Sequence, residues 1–347
     1  MVTDHPGAID LSSQALTVVL LATHSHFIHQ ATGCCNDPTL SGYDEKRVGK
    51  LKSARRRKDK ANAHGNGNWL VSLHYLLGAL TPPFGCSGAR PYQEDEILIE
   101  DEGRFVCVFD GHGGKQISRY LRLNLFASYQ AALSIGSKED LSTSKVQTAI
   151  KNALLRVDDE VCKIGQWSYT GSTAVVCIIS LDSDGVRTIV TANVGDSRAV
   201  LCRNGVAVDL SRDHKPNDED EMERIEKLGG SVDWCGDVDP VTDDPILHTG
   251  VYRVNSNLAL SRAIGDKSER PFISNEADIS THVVKDGDSF IVLASDGLFD
   301  VMSSQEVVSF VTLNCEGSPD EEAATRVAKE ALKRGSSDNI TVIIIWL

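Results

Sequence analysis

No C-x-x-C pair occurs among the nine cysteines of this 347-residue chain, so a structural zinc site is not encoded. Their odd number and scatter, with Cys107 and Cys177 inside apolar strand-like runs, suit buried thiols in a reducing compartment rather than a disulfide framework. A basic leader region is missing too, and the best apolar run near the N-terminus, Ala15–Ala22, is far too short to span a bilayer. The expectation is an intracellular protein, in cytoplasm, nucleus or both, without a membrane span. A G-x-x-x-x-G-K-[ST] phosphate loop is absent, which leaves an ATPase of that type unsupported. Positive charge is scarce: 35 Lys and Arg stand against 49 Asp and Glu, a net −14. Such a balance argues against nucleic acid as a partner, because binding phosphates requires cations.

The acidity is uneven. Residues 1–80 carry a net +3 and residues 81–347 a net −17. The first 80 residues read as an N-terminal extension of low order, with a basic block at Lys46–Lys60 that is either a solvated tether or a patch for nuclear import or an anionic surface. Trp69–Leu80 is apolar enough to dock as a short helix or strand before Pro82-Pro83 ends it. From residue 81 onward the chain reads as one domain. A hairpin is expected from Ile97–Glu100 and Arg104–Phe109 across Asp101-Glu102-Gly103. Helical spacing follows at Lys115–Ala132 and at Thr143–Lys163, where Val146, Ile150, Leu154, Val157 and Val161 form one stripe. Strands are predicted at Thr173–Ser180, Arg187–Val194, Ser197–Arg203 and Val206–Asp209, with turns at 182–185 and 203–205. A helix over Pro216–Leu228 should bury Met222, Ile225 and Leu228, and residues 231–256 read as irregular and acidic. Strand Phe290–Ala294, helices Ser304–Leu313 and Pro319–Lys333 (capped by Ser318), and strand Ile340–Trp346 complete the chain. Short strands in hairpins, without regular β-α-β alternation, point to an α+β fold of antiparallel sheets covered by helices.

Chemistry concentrates where acids meet strand ends. In F-V-C-V-F-D-G-H-G-G (105–114) an apolar strand delivers Asp110, the bare backbone of Gly111 and the imidazole of His112 together. Glu94 and Asp95 precede the first hairpin, Asp296 follows F-I-V-L-A-S, and Asp338 stands just before I-T-V-I-I-I. Asp196 and Asp300 are further candidates. Taken singly, such acids are turn residues or helix caps. Gathered at one sheet end they would repel one another, and bound Mg²⁺ or Mn²⁺ is the simplest relief. Two such ions about 3.5–4 Å apart would acidify a shared water and align it for attack on phosphorus.

These residues sit within nine stretches that resemble, in order, the metal-dependent serine/threonine protein phosphatases of type 2C (the PPM family). They are G-A-R-P-Y-Q-E-D (88–95), F-V-C-V-F-D-G-H-G-G (105–114), T-G-S-T-A-V (170–175), A-N-V-G-D-S-R-A (192–199), D-H-K-P (213–216), R-I-E-K-L-G-G (224–230), L-A-L-S-R-A-I-G-D (258–266), A-S-D-G-L-F-D-V-M (294–302) and S-D-N-I-T-V (337–342). The resemblance implies a four-layer αββα sandwich and hydrolysis of phosphoserine and phosphothreonine on phosphoprotein substrates, by a monomer. By motif, Asp110 would bridge two Mg²⁺ or Mn²⁺ ions. Asp296 and Asp338 would hold one, and Glu94 (with Asp95 beside it) and the Gly111 carbonyl the other. Asp196 and Asp300 would hold a weaker third. Arg90 would grip the substrate phosphate and His112 would protonate the departing oxygen.

Residues 235–250 depart from the pattern as an acidic insertion beside the substrate-proximal flap, expected to favour basic phosphopeptides. A binding-only relative would have lost a metal acid, and none is lost. A nuclease or nucleotide hydrolase fits poorly with a −17 domain. Gly195–Ala199 nearly matches the serine-hydrolase elbow but lacks its final glycine.

Overall fold

The computed structural model describes residues 71–76 (backbone only), 90, 92–134, 142–181, 185–315, 319–320 and 322–347. The Lys46–Lys60 block, most of the 182–185 turn and Ser318 lie outside the described residues. In chain order the strands are β1 (Val71–Leu76), β2 (Glu96–Glu100), β3 (Phe105–Phe109) and β4 (Gly111–His112), then helices α1 (Gln116–Leu133) and α2 (Thr143–Cys162). Next come β5 (Gly171–Ser172), β6 (Ala174–Leu181), β7 (Arg187–Val194), β8 (Arg198–Arg203), β9 (Val206–Asp209) and α3 (Glu219–Lys227). After β10 (Val232–Cys235), β11 (Val251–Val254), β12 (Ile264–Gly265) and β13 (Asp278–Val283) come β14 (Asp288–Ala294) and α4 (Asp296–Phe299). The chain closes with α5 (Ser304–Asn314), α6 (Ala323–Lys333) and β15 (Ile340–Trp346).

Two antiparallel five-stranded sheets form the centre, ordered β13-β7-β6-β3-β2 and β1-β15-β14-β8-β9. Period-two alternation explains their packing. On β3, Phe105, Cys107 and Phe109 meet Ile117, Leu121, Leu125, Ile150 and Leu154 of α1 and α2. Val106 and Val108 of the same strand face Leu201, Ile291, Leu293, Ile343 and Ile345 across the gap between the sheets. On the far side, Phe290, Val292, Val342 and Ile344 pack against Val307, Val311, Val327 and Ala328 of α5 and α6. The result is the expected αββα sandwich. Because both faces of each central strand are covered, β3 and β15 read as unbroken apolar runs rather than as alternating ones. Cys107, Cys177 and Cys202 are buried free thiols. Among the described residues no helix is long and apolar enough to cross a membrane.

Three elements differ from the sequence expectation. Helix α3 begins at Glu219, and it buries Glu221 and Ile225 while Met222 and Leu228 stay exposed. Residues 231–256 are not irregular throughout: β10 and β11 pair as an antiparallel hairpin, and the Val238–Pro245 bridge pinches the acidic loop between them. Pro319 lies outside α6, which starts only at Ala323. The Trp69–Leu80 segment, expected to dock as a short helix or strand, takes the second form: Val71–Leu76 pairs with β15 from Val71↔Ile345 to Leu76↔Ile340.

Helix α5 starts in a reciprocal capping box between Ser303 and Glu306, and Arg334 of the α6 C-cap donates to Glu306 Oε1 at 2.7 Å. The Arg334 hydrogen bond, then the Ser303 backbone and hydroxyl, bring the Glu306 pKa down from 4.5 to about 2. A lowered carboxyl pKa contributes stability that is fully present above the unfolded value and lost as pH falls through the folded one. Glu306→Gln should therefore flatten the acid limb of Tm between pH 4.5 and about 2. An unchanged limb in thermal melts would refute that assignment.

Candidate active site

Register alone brings the strand-end acids together. Glu96 pairs with Phe109, so Glu94 and Asp95 before β2 lie at the end of β3 that carries Asp110. Ala294 pairs with both Val342 and Arg198, which sets Asp296, Asp338 and Asp196 at one end of the second sheet. Ala174 pairs with Val194, so Asp196 also belongs to the same end of the first sheet as Asp110. Six carboxylates thus share one rim of the sandwich.

The rim is electrostatically tense. Burial pushes the Asp110 pKa well above its usual range, and the charges of Asp95, Asp296, Asp196 and Asp338 push it further. Asp296 is raised by burial and by Asp196 and Asp300. Asp338 is raised by burial and partly relieved by Arg90, whose Nη2 lies 2.7 Å from Asp338 Oδ2. Glu94 is raised by burial too, with Arg90 3.8 Å away. Asp95, 1% exposed, accepts hydrogen bonds at Oδ2 from Thr341 (2.7 Å) and Ser295 (3.0 Å), and burial lifts its pKa to about 6. It braces the rim from behind, tying the start of β2 to β15 and to the β14–α4 junction. Gly111 is required by close approach, since a Cβ there would stand 2.7 Å from both the Glu94 carbonyl and Ser118 Oγ.

Two functional-looking residues escaped the sequence reading. Lys215, in D-H-K-P, reaches Asp196 Oδ2 at 2.6 Å. It arrives there because His214 exchanges two hydrogen bonds with Gly195: its N–H donates to the Gly195 carbonyl (3.1 Å), and its Nδ1 accepts from the Gly195 N–H (3.0 Å). Burial disfavours the Lys215 ammonium, but Asp196, Asp296 and Asp300 overcome this and raise its pKa. Asp266 is the second: its Oδ2 lies 2.6 Å from His112 Nε2. Burial works against the imidazolium, yet Asp266 raises the His112 pKa above 6.5 by charge and by hydrogen bond. Arg198 steadies α4, which starts at Asp296 and is followed by Asp300 as its C-cap, by binding Asp213 at 2.7 and 2.8 Å and stacking 4.5 Å from the Phe299 ring.

Whether this donor set suits a metal can be tested on the oxygens themselves. Asp296 Oδ1 is buried and has no hydrogen-bond partner among the described residues, and the surrounding acids are hard oxygen donors with raised pKa values. As the side chains stand, no group of three His, Cys, Asp or Glu among the described residues is gathered tightly enough to hold an ion. Arg90 and Lys215 occupy the acids instead. The chemistry of the rim fits hard divalent cations, which would take over charge that two side-chain cations now balance. Beside it a cleft of about 710 Å³ opens between Arg90, Tyr92, Glu94, Gly114, Lys115 and Gln116, room enough for a peptide side chain.

The family model described as Protein phosphatase 2C matches residues 88–340. Similar curated proteins include a probable protein phosphatase 2C 71 of Arabidopsis thaliana, 39% identical over 268 residues, which cover 75% of this chain and 53% of the relative. A probable protein phosphatase 2C 59 of Oryza sativa subsp. japonica is 33% identical over 319 residues, covering 90% and 88%. The chain thus spans about half the length of the first of these and most of the second. Among solved structures, a C. elegans sex determining protein superimposes with TM-score 0.67 at 26% identity, covering 90% of this chain and 76% of that one. A phosphatase from a pathogenic strain of Toxoplasma gondii gives 0.61 at 25%, covering 79% and 91%. Fold and family model define the class, a phosphatase domain. The chain belongs to the protein phosphatase 2C family, whose members dephosphorylate serine and threonine on proteins.

Proposed function

We propose that this chain hydrolyses phosphoserine and phosphothreonine esters of intracellular phosphoproteins, acting as a monomer, with Asp110, Glu94, the Gly111 carbonyl, Asp296 and Asp338 as ligands for two Mg²⁺ or Mn²⁺ ions. The observation that carries this reading is the convergence of Asp110, Asp296 and Asp338 on one rim, with Asp296 Oδ1 buried and lacking a hydrogen-bond partner there. When bound, the ions supply an acidified water for in-line attack on phosphorus. Asp196 and Asp300 would hold a weaker third ion, in competition with Lys215. Arg90 turns from Asp338 to the substrate phosphate, whose oxygens its planar fork matches. His112 gives a proton to the departing Ser or Thr oxygen, and Asp266 beside it favours the protonated ring.

The test is hydrolysis of two phosphothreonine peptides, one flanked by Lys and Arg and one by Asp and Glu, with Mn²⁺ and with EDTA. Turnover is expected only with Mn²⁺, and faster on the basic peptide because of the acidic loop at 235–250. Activity that survives the chelator would remove the metal mechanism. Equal rates on the two peptides would remove the role given to the loop.

A further inference from the structure

A small third sheet, ordered β12-β5-β4, gives Ile264 to the core beneath α1 and α2. Its register gives it a purpose. Gly171 of β5 pairs with His112 of β4 on one side and with Gly265 of β12 on the other. Asp266, the next residue, is thereby carried to the imidazole across Gly171, a strand position with no side chain. A Cβ on Gly171 would fall 2.1 Å from Asp266 Oδ2 and 2.3 Å from His112 Nε2. The carboxylate is itself well fixed. Asp266 is 1% exposed and its N–H donates to the Thr170 carbonyl at 2.9 Å. The preceding Gly265 N–H donates to Asp158 Oδ1 at 2.8 Å, and Arg270 and Asn275 hold Asp158 in turn. Asp266 also takes the left-handed conformation, φ 45° and ψ 45°, which turns the chain so that the side chain faces the ring.

We infer that Asp266 is the positioning residue for His112: it holds the ring through Nε2 and leaves Nδ1 as the nitrogen that delivers the proton. The inference deepens, and rests on, the general-acid role proposed for His112. A carboxylate can only accept, so the Nε2 hydrogen points to Asp266 and Nδ1 is the ring nitrogen left to serve as donor. In the transfer, water oxygen bonds to phosphorus and loses a proton to solvent, and the phosphorus–oxygen bond to Ser or Thr breaks. The alcohol oxygen takes the Nδ1 proton and inorganic phosphate is released. The ring is left neutral with its hydrogen on Nε2, and a proton from solvent restores it.

Asp266→Asn keeps the shape and tolerates the left-handed backbone, so it isolates the charge. With a phosphothreonine peptide, kcat should fall about 10–100-fold with KM nearly unchanged. With p-nitrophenyl phosphate, whose phenolate departs without a proton, the loss should stay below about threefold, which also reports an intact fold. His112→Gln should show the same selectivity, and the double variant should be no worse than His112→Gln alone. Ring ¹⁵N signals of the Mg²⁺-loaded protein should report a fixed Nε2–H tautomer that Asp266→Asn releases. Equal losses on both substrates, additive losses, or unmoved ring signals would overturn the inference. Should His112→Gln leave the ratio of the two substrates unchanged, the general-acid reading fails and takes the inference with it. A selective His112→Gln beside an inert Asp266→Asn removes the inference alone.

Discussion

Asp110→Asn is expected to lower kcat on a phosphothreonine peptide by about 10³-fold or more, while leaving the metal-free protein at least as stable as before. The two halves of this expectation have one cause. Asp110 sits at the tip of β3, where Asp95, Asp296, Asp196 and Asp338 all raise its pKa. Under the proposed reading its charge is what joins two cations, and an isosteric amide cannot replace it. Without metal the same charge is a burden. A carboxyl whose folded pKa lies above its unfolded value opposes folding increasingly as pH rises above the unfolded value, so at pH 7 the amide removes a penalty. Kinetics with Mn²⁺ and thermal melts in EDTA give the two readouts. Activity within tenfold of wild type, or a lower Tm in EDTA, would contradict the expectation.

Arg262→Ala should destabilise the domain by about 3 kcal/mol, a loss of roughly 6–12 °C in Tm for a domain of this size. Arg262 is 8% exposed and holds Glu221, itself 1% exposed, through Nε at 2.8 Å, with Nη1 on Asp278 at 2.9 Å and on the Glu276 carbonyl at 3.0 Å. Truncation leaves a buried carboxylate with Arg224 at 2.8 Å and Arg212 at 3.8 Å, less than its burial requires. The penalty belongs to the stranded charge more than to the pair. Arg262→Met combined with Glu221→Met should therefore recover part of the loss, since Arg224 keeps the Phe272 and Ser261 carbonyls and Asp278 keeps Arg212. Urea unfolding would decide: a loss under about 1 kcal/mol, or a double variant worse than the single one, would show that the pair is not balanced in this way.

What the sequence made legible was whatever both layers of the sandwich bury. The stripe Val146–Val161 and the run Ile340–Trp346 carry their burial pattern on their face, and each lies within a residue or two of the expected bounds. Strand β13 was not legible, because D-I-S-T-H-V lies at an edge, mostly half-buried or exposed, and shows no apolar run. The two-residue strands β4, β5 and β12 are too short for any period to appear. On α3 the apolar spacing misled, since the interior there is filled by the Glu221–Arg262 pair rather than by Met222. At the site, acids flanking apolar strands could be picked out one by one. Asp266 could not be matched to His112, because their meeting depends on the Gly171 register and on a separation of 154 residues. Lys215 likewise could not be matched to Asp196, because the Gly195–His214 exchange is what places it there.

The pairing of β1 with β15 changes what counts as the minimal folding unit. The family match begins at residue 88, yet the outer edge of the last strand is covered by Val71–Leu76. A fragment that starts at residue 88 and keeps the last strand would present I-T-V-I-I-I-W with a row of unsatisfied amides and carbonyls, a ready template for adding strands from other chains. Self-association of such a fragment would arise from the missing shield at its margin, with the catalytic rim untouched.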